Sequence, residues 1–303
     1  MFSTRSGAAK LAVVVVIGLV GLKVGVAFIT GSISIAAQAV DSFLDLFAIA
    51  ITFLAVGIAA RPADEKHPFG HGKVEDMAAV VQAMLIFAAG GLIIYSAVLR
   101  IITGMTIELT EAGMGVMLVS IVASLLLSRH LRLVSQATDS IALEASARNI
   151  AVDVYSAAAV LAGLLVIRFT GLQIFDPIIA LLVALFILKV AYDVLRKSFG
   201  RLIDVKLSEA EESIIRSSIM ECAGELVGFH ELRTRKAGNQ RYIDLHLVMP
   251  KNASVEEAHR LCDELERDMK TRLSHTTILI HVEPCSEECD QCPTPPRLCK
   301  KKP

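Results

Sequence analysis

Apolar residues run in six long blocks through the first two thirds of the chain, with approximate cores Lys10 to Ile29, Ile33 to Ala59, Val74 to Ile101, Ala112 to Leu131, Ile141 to Phe169 and Pro177 to Val194. Each is near the ~20 residues that a helix needs to cross the hydrocarbon core of a bilayer, so the pattern predicts six transmembrane helices. From Arg196 onward the pattern shortens and becomes amphipathic. Ser208 to Cys222 opens with a serine cap and early acids, SEAEE, as a helix start should. Phe229 to Arg235 and Tyr242 to Met249 alternate apolar and polar residues on either side of KAGNQR, which predicts a hairpin. Ser254 to Leu273 predicts a second amphipathic helix with its own SVEE start, and Thr277 to Val282 a last strand. The α-β-β-α-β order implies a small α+β sandwich with its helices on one face of a three-stranded sheet. The expected fold is thus an α-helical membrane protein with six transmembrane helices, followed by a small cytoplasmic α+β domain.

Composition sharpens this division. The 303 residues have a mean hydropathy of +0.58, and charges are sparse from Leu11 to Leu195 and dense afterwards. The net charge of -1 averages two unlike parts and gives no reason to expect a nucleic-acid partner. Expected boundaries are 1–204 for the membrane domain, 205–285 for the soluble domain and 286–303 for a polar, cysteine-rich tail. Leu11 to Ile29 is as long as a span and lacks an evident small-residue cleavage site, so it is the first helix and not a cleaved signal. If the helices alternate, Arg5, Lys10, Arg61, Lys66, Lys73, Arg129, Arg132, Arg196, Lys197 and Arg201 fall on one side, which puts both termini in the cytoplasm. Gly21 and Gly25 give the first helix a small-residue face that would admit a close neighbour. Lys23 lies near one end of that helix and is placed to snorkel.

Two polar pairs interrupt the apolar blocks. Asp41 and Asp45 lie one turn apart in the second span, and Asn149 and Asp153 one turn apart in the fifth. Acids at membrane depth cost at least ~2.5 kcal/mol on insertion scales, so they mark a polar site or pathway. Two carboxylates on one helical face, about 6 Å apart at Cβ, repel unless a cation or a proton sits between them. At 1.5 Å per residue both pairs come near mid-membrane, where three carboxylates and an amide oxygen would make a four-coordinate, oxygen-only site suited to hard or borderline divalent cations. The loop between the second and third spans adds Asp64, His67 and His71, a Zn²⁺-type ligand set.

With the DxxxD of Asp41 and Asp45, the polar pair of the fifth span and the RPADEKHPFGHGK loop from Arg61 to Lys73, the chain resembles the cation diffusion facilitator family over about residues 5 to 285. The resemblance implies export of divalent metals (Zn²⁺, Fe²⁺ or Mn²⁺) from the cytoplasm in exchange for protons, as a homodimer in a bacterial inner membrane. It implies a ferredoxin-like or metallochaperone-like soluble domain that dimerises and senses cytosolic metal. His230, His246, His259 and His281, with Glu283, fall where similar proteins hold regulatory metals. Many zinc-exporting members carry His where this chain has Asn149. The harder amide oxygen is expected to move selectivity towards Mn²⁺ or Fe²⁺ and to leave protons to Asp41, Asp45 and Asp153.

Two other functions compete. An intramembrane aspartyl protease also needs buried acids, but the Gly-Asp motif is absent and two acids on one helix are poorly placed to flank a scissile bond, so an enzyme is not expected. A transporter-like metal-sensing scaffold that no longer transports would rest on Asn149 alone. Cys285, Cys289, Cys292 and Cys299 are spaced irregularly for a zinc knuckle, and in a reducing cytoplasm they imply no disulfides. Either they capture soft metal ions or they occupy a flexible tail. Cys222 and Cys262 are expected to pack within helices.

Overall fold

The computed structural model describes residues 4–30, 33–103, 111–170, 175–221 and 226–285, except for the side chains of residues 30, 33–38, 40, 41, 44, 111–114, 156, 159–170 and 175–177. It divides into two compact units, Met1–Gly200 and Arg201–Pro303.

The first unit is made of α1 (Arg5–Thr30), α2 (Ile33–Ala59), α3 (Lys73–Thr103), α4 (Glu111–Thr138), α5 (Ile141–Thr170) and α6 (Phe175–Leu202). These helices, 26 to 31 residues long, correspond one for one to the six apolar blocks. Among the described residues α1, α3, α4 and α6 carry uninterrupted windows long and apolar enough to cross a membrane. The helices outrun the apolar cores at several ends, because backbone hydrogen bonds continue through the polar flanks beyond the hydrocarbon.

Helices α1, α2, α4 and α5 form a ring in which each packs on two others, and α3 packs against α2 and α5 from outside. Close approach comes from small side chains. Ala8, Ala9, Ala12, Ala142 and Ala147 are buried in the ring, and Ala79, Ala83 and Ala145 in the contact of α3 with α5. Gly90 admits α6, since a Cβ there would lie 2.8 Å from Leu188 Cδ2. Gly21 and Gly25 have no described atom within 4 Å of where a Cβ would lie.

Polar ties add direction. Gln82 donates to Ala48 O at 2.8 Å and to Thr52 Oγ1 at 2.7 Å, joining α3 to α2. Glu75 is fully buried; it accepts from Arg5 Nη1 at 2.7 Å and from Ser140 Oγ at 2.6 Å, joining the starts of α1, α3 and α5.

The second unit contains α7 (Glu209–Glu221), β1 (Gly228–Ala237), β2 (Gln240–Met249), α8 (Val255–Arg272) and β3 (Thr276–Pro284). Both helix starts are closed by reciprocal caps: Ser208 with Glu211, and Ser254 with Glu257. Strand β2 is central, antiparallel to β1 and parallel to β3. The hairpin turn is tighter than the six residues expected. Lys236, Ala237, Gln240 and Arg241 all pair, leaving Gly238 and Asn239 as the turn. Gly238 has φ +60, which fits the glycine that a two-residue type II′ turn takes at its first position. Ile243, Leu245 and Leu247 of β2 bury against Ile215 and Ile219 of α7 and Leu261, Leu265 and Met269 of α8. The alternate residues of β2 and β3 face away from the helices. Cys262 is half-buried beside this core, Cys285 is buried just after β3, and Cys222, Cys289, Cys292 and Cys299 lie outside the described residues.

Candidate functional site

A cavity of about 220 Å³ opens inside the four-helix ring, and all four helices line it: Lys23 from α1, Ser42 and Asp45 from α2, Ser120 and Ser124 from α4, and Asp153 from α5 are its polar residues. Asp45 and Asp153 therefore line one chamber. Asn149 is buried behind Asp45 and donates from Nδ2 to Asp45 Oδ1 at a long 3.4 Å. In this arrangement Asn149 gives an N–H to its neighbour and no oxygen to the cavity. Asp41 lies one turn earlier on α2, with its side chain outside the described ones.

Three cavity groups escaped the sequence reading. Lys23 does not snorkel away: its Nζ donates to Ser42 Oγ at 2.6 Å across the α1–α2 contact, so an ammonium shares the chamber with the carboxylates. Ser120 Oγ is buried with no hydrogen-bond partner among the described residues, and Ser124 lies one turn along the same face of α4. Serine at i and i+4 in an apolar block was the available signal.

Between α2 and α3 the chain forms a tight irregular loop and not a helix, with Gly70 at φ +77. Asp64 accepts backbone N–H bonds from His67 at 2.7 Å and Lys66 at 3.0 Å, closing a local turn. Its Oδ1 also lies 3.1 Å from His67 Nδ1, and its Oδ2 lies 3.5 Å from His71 Nε2. The bond from the His67 amide, with the His67 ring, holds the Asp64 carboxyl below its ordinary range despite some desolvation. The two imidazoles lie 4.4 Å apart between ring centres. One nitrogen from each ring and one carboxylate oxygen lie within 4.8 Å of one another, a grouping able to close on one metal ion by small side-chain shifts.

A third cluster lies on the open face of the sheet. Register places His230, His246 and His281 in one row across β1, β2 and β3, and Glu283 two residues along β3 from His281. Glu283 bridges: Oε1 lies 2.9 Å from His246 Nδ1 and Oε2 lies 3.1 Å from His230 Nε2, with His281 Nε2 3.6 Å from Oε1. Desolvation raises the Glu283 carboxyl, but the two imidazoles outweigh it and the net shift is downward. Glu231 was missed. It sits at φ +50 in a β-bulge, and its carboxylate reaches His246 Nε2 at 3.5 Å. His259 does not join this group. It is exposed on α8, which packs on the opposite face of the sheet, and its neighbour is Asp263 at 3.7 Å.

Residues 9–203 match the family model of the cation efflux transmembrane domain, and residues 207–285 that of the cation efflux protein cytoplasmic domain. The chain belongs to the cation diffusion facilitator family. Similar proteins include the cation-efflux pump FieF of Pectobacterium atrosepticum, 34% identical over 282 residues that cover 92% of each chain. Another is the uncharacterized transporter sll1263 of Synechocystis, 30% identical over 279 residues, or 92% of this chain and 90% of the relative. A solved structure of CzrB in its Zn form is 40% identical, covering 27% of this chain and 94% of that one with a TM-score of 0.26.

This cation diffusion facilitator is therefore an integral membrane transporter of divalent metal cations and not an enzyme. For the transporter's chemistry the three clusters differ in kind. The chamber within the membrane helices offers oxygens beside an ammonium. The loop offers two imidazoles with one carboxylate, and the sheet three imidazoles with Glu283 and Glu231.

Proposed function

We propose that the transporter exports Zn²⁺, Fe²⁺ or Mn²⁺ from the cytoplasm in exchange for protons, holding the ion among Asp41, Asp45, Asn149 and Asp153. The observation that carries this reading is the shared cavity: Asp45 and Asp153, from different helices, line one chamber in the four-helix ring. A dehydrated divalent ion needs several oxygens at once, and the neighbouring helices α2 and α5 supply them side by side. Because the ion and protons compete for the same carboxylate oxygens, binding from the cytoplasm releases protons and protonation on the other side releases the ion. Rearrangement of the helices alternates access. Asn149 holds Asp45 in place through its N–H when the ion is absent, and a half-turn about its last torsion presents the oxygen instead. Lys23 keeps one positive charge in the chamber between turnovers, so that an entering ion displaces a resident cation's field.

In this reading the protein is a homodimer in the inner membrane with both termini in the cytoplasm. The sheet cluster of His230, His246, His281 and Glu283 takes a regulatory metal ion, and the loop cluster of Asp64, His67 and His71 a second. His259, exposed on the helical side, is available to a second copy of the chain. The residue types fit: imidazole plus carboxylate is a common Zn²⁺ set, and Glu283 already orients two of the rings.

Uptake of Zn²⁺, Fe²⁺ and Mn²⁺ into proteoliposomes tests the reading. Asp45→Asn and Asp153→Asn are expected to lower uptake of every ion at least ~100-fold, as loss of a first-sphere ligand does. Unchanged uptake by either variant overturns the site. Absence of flux in the wild type, with metal-dependent tightening of the dimer retained, points to the scaffold instead.

A further inference from the structure

A second, larger cavity of about 700 Å³ lies where α4 ends, α5 begins and α6 ends, outside the four-helix ring's own chamber. Four cations line it: Arg129 and Arg132 of α4, Arg148 of α5 and Lys197 of α6. Among the described residues a single carboxylate, Glu144, faces them; it pairs with Arg148 at 2.9 Å and Lys197 at 2.5 Å. Arg129 and Arg132 have no ion pair among the described residues. The cavity thus carries a surplus of positive charge that its own acid does not offset, and it repels the cations the protein transports.

The surroundings indicate which kind of anion fits. Leu118, Val122, Leu125, Arg129 and Arg132 follow one another at three- and four-residue steps on α4, and all five are exposed. One helix face is therefore apolar along its length and basic at its end. Across the cleft the apolar surface continues: Tyr155 of α5 lines the cavity and meets Phe186 of α6 edge to face at 5.2 Å between ring centres. Solvated arginines at a helix end would satisfy the positive-inside tendency without converging from three helices onto one concavity. Convergence, together with an adjoining apolar strip, matches a ligand with a phosphate at one end and hydrocarbon at the other.

We propose that this cleft binds an anionic phospholipid, the phosphate seated between Arg129, Arg132 and the Arg148–Lys197 pair, and an acyl chain lying along Leu125, Val122 and Leu118. Glu144 holds Arg148 and Lys197 towards the site. The volume lies within the range of ordinary ligand pockets, and basic pockets between membrane helices bind anionic head groups on electrostatic grounds. The proposal does not depend on which metal is transported.

Titrating the purified full-length protein in neutral detergent with phosphatidylglycerol, and separately with phosphatidylcholine of the same chains, tests it. Phosphatidylglycerol is expected to bind more tightly. Arg129→Gln with Arg132→Gln should weaken it roughly 25-fold, about fivefold for each charge lost, and leave phosphatidylcholine unchanged. Arg129→Lys with Arg132→Lys should retain most of the affinity, which separates lost charge from lost fold. Leu125→Asn should weaken phosphatidylglycerol but not inorganic phosphate. Equal binding of the two lipids, or full affinity in the double glutamine variant, overturns the proposal. Inorganic phosphate that displaces phosphatidylglycerol with equal affinity shows a free-anion site and overturns the lipid.

Discussion

Half of the buried apolar positions described in the membrane unit are alanine (Ala8, Ala9, Ala12, Ala79, Ala83, Ala142 and Ala145 among them), whereas the second unit is centred on Ile215, Ile243, Leu245, Leu247, Leu261 and Leu265. The solvent explains the contrast. Lipid is as apolar as leucine, so membrane helices gain little by burying large side chains against one another; they gain from close backbone approach and from polar ties. In water, burial of apolar area stabilises by roughly 25 cal/mol per Å², so large aliphatics dominate. The same contrast separates the candidate metal sites. The membrane chamber sets carboxylates and serine hydroxyls beside an ammonium among apolar side chains, a setting that binds and lets go. The sheet cluster is open and imidazole-rich, a setting that holds.

Two glutamates show how each unit uses charge. Glu75, wholly buried, ties α1, α3 and α5 through Arg5 and Ser140. Glu75→Ala would leave Arg5 and Ser140 without that partner, and a broken buried pair costs about 3–5 kcal/mol. Equilibrium unfolding in mixed micelles reads this, and a loss under ~1 kcal/mol would show that polar ties do not hold the membrane unit.

Glu211 plays the parallel part in water. It caps α7 through Ser208 and draws in Lys236 of β1 at 3.1 Å and Arg241 of β2 at 2.8 Å. Partial burial raises its carboxyl, but Ser208 and Lys236 outweigh this and push it down to about 2 from 4.5. A depressed acid contributes stability above its unfolded pKa and loses it as pH falls through the folded one. The second unit should therefore lose about 2–3 kcal/mol between pH 4.5 and 2 that Glu211→Gln does not lose. Amide hydrogen exchange across α7 and β1 in the full-length protein checks this; an unchanged slope in the variant contradicts it.

Lys23→Met gives a smaller effect with an unusual sign. Removing the resident ammonium should tighten metal binding at least ~10-fold and slow release, since at an effective dielectric near 20 a charge a few ångströms away contributes a few kcal/mol and about 1.4 kcal/mol is a factor of ten. A merely structural lysine would give weaker binding on removal. Calorimetric titration with Zn²⁺ or Mn²⁺ distinguishes the two.

Period and caps made much of this fold legible. The six apolar blocks correspond to α1 to α6, and SEAEE and SVEE lie at the starts of α7 and α8. What escaped depends on geometry that periodicity does not carry. Lys23 was visible as a charge in a span, but which way it points is fixed by the α1–α2 contact. Asn149 was visible as a polar group, but which of its amide atoms meets Asp45 is set by the partner's need for a donor. Glu231 reaches His246 only because a bulge turns it there. His259 shares its residue type with the sheet histidines, yet its helix lies on the far side of the sheet.

The central claim is that metal and protons compete for Asp45 and Asp153 in one chamber. Proteoliposomes loaded with a metal indicator and a pH indicator measure both fluxes at once under an imposed pH gradient. The account predicts proton efflux that rises and falls with metal uptake in the wild type, and loss of both together in Asp153→Asn. Metal uptake that proceeds at the same rate with no accompanying proton flux, or proton flux that survives in Asp153→Asn, would contradict it.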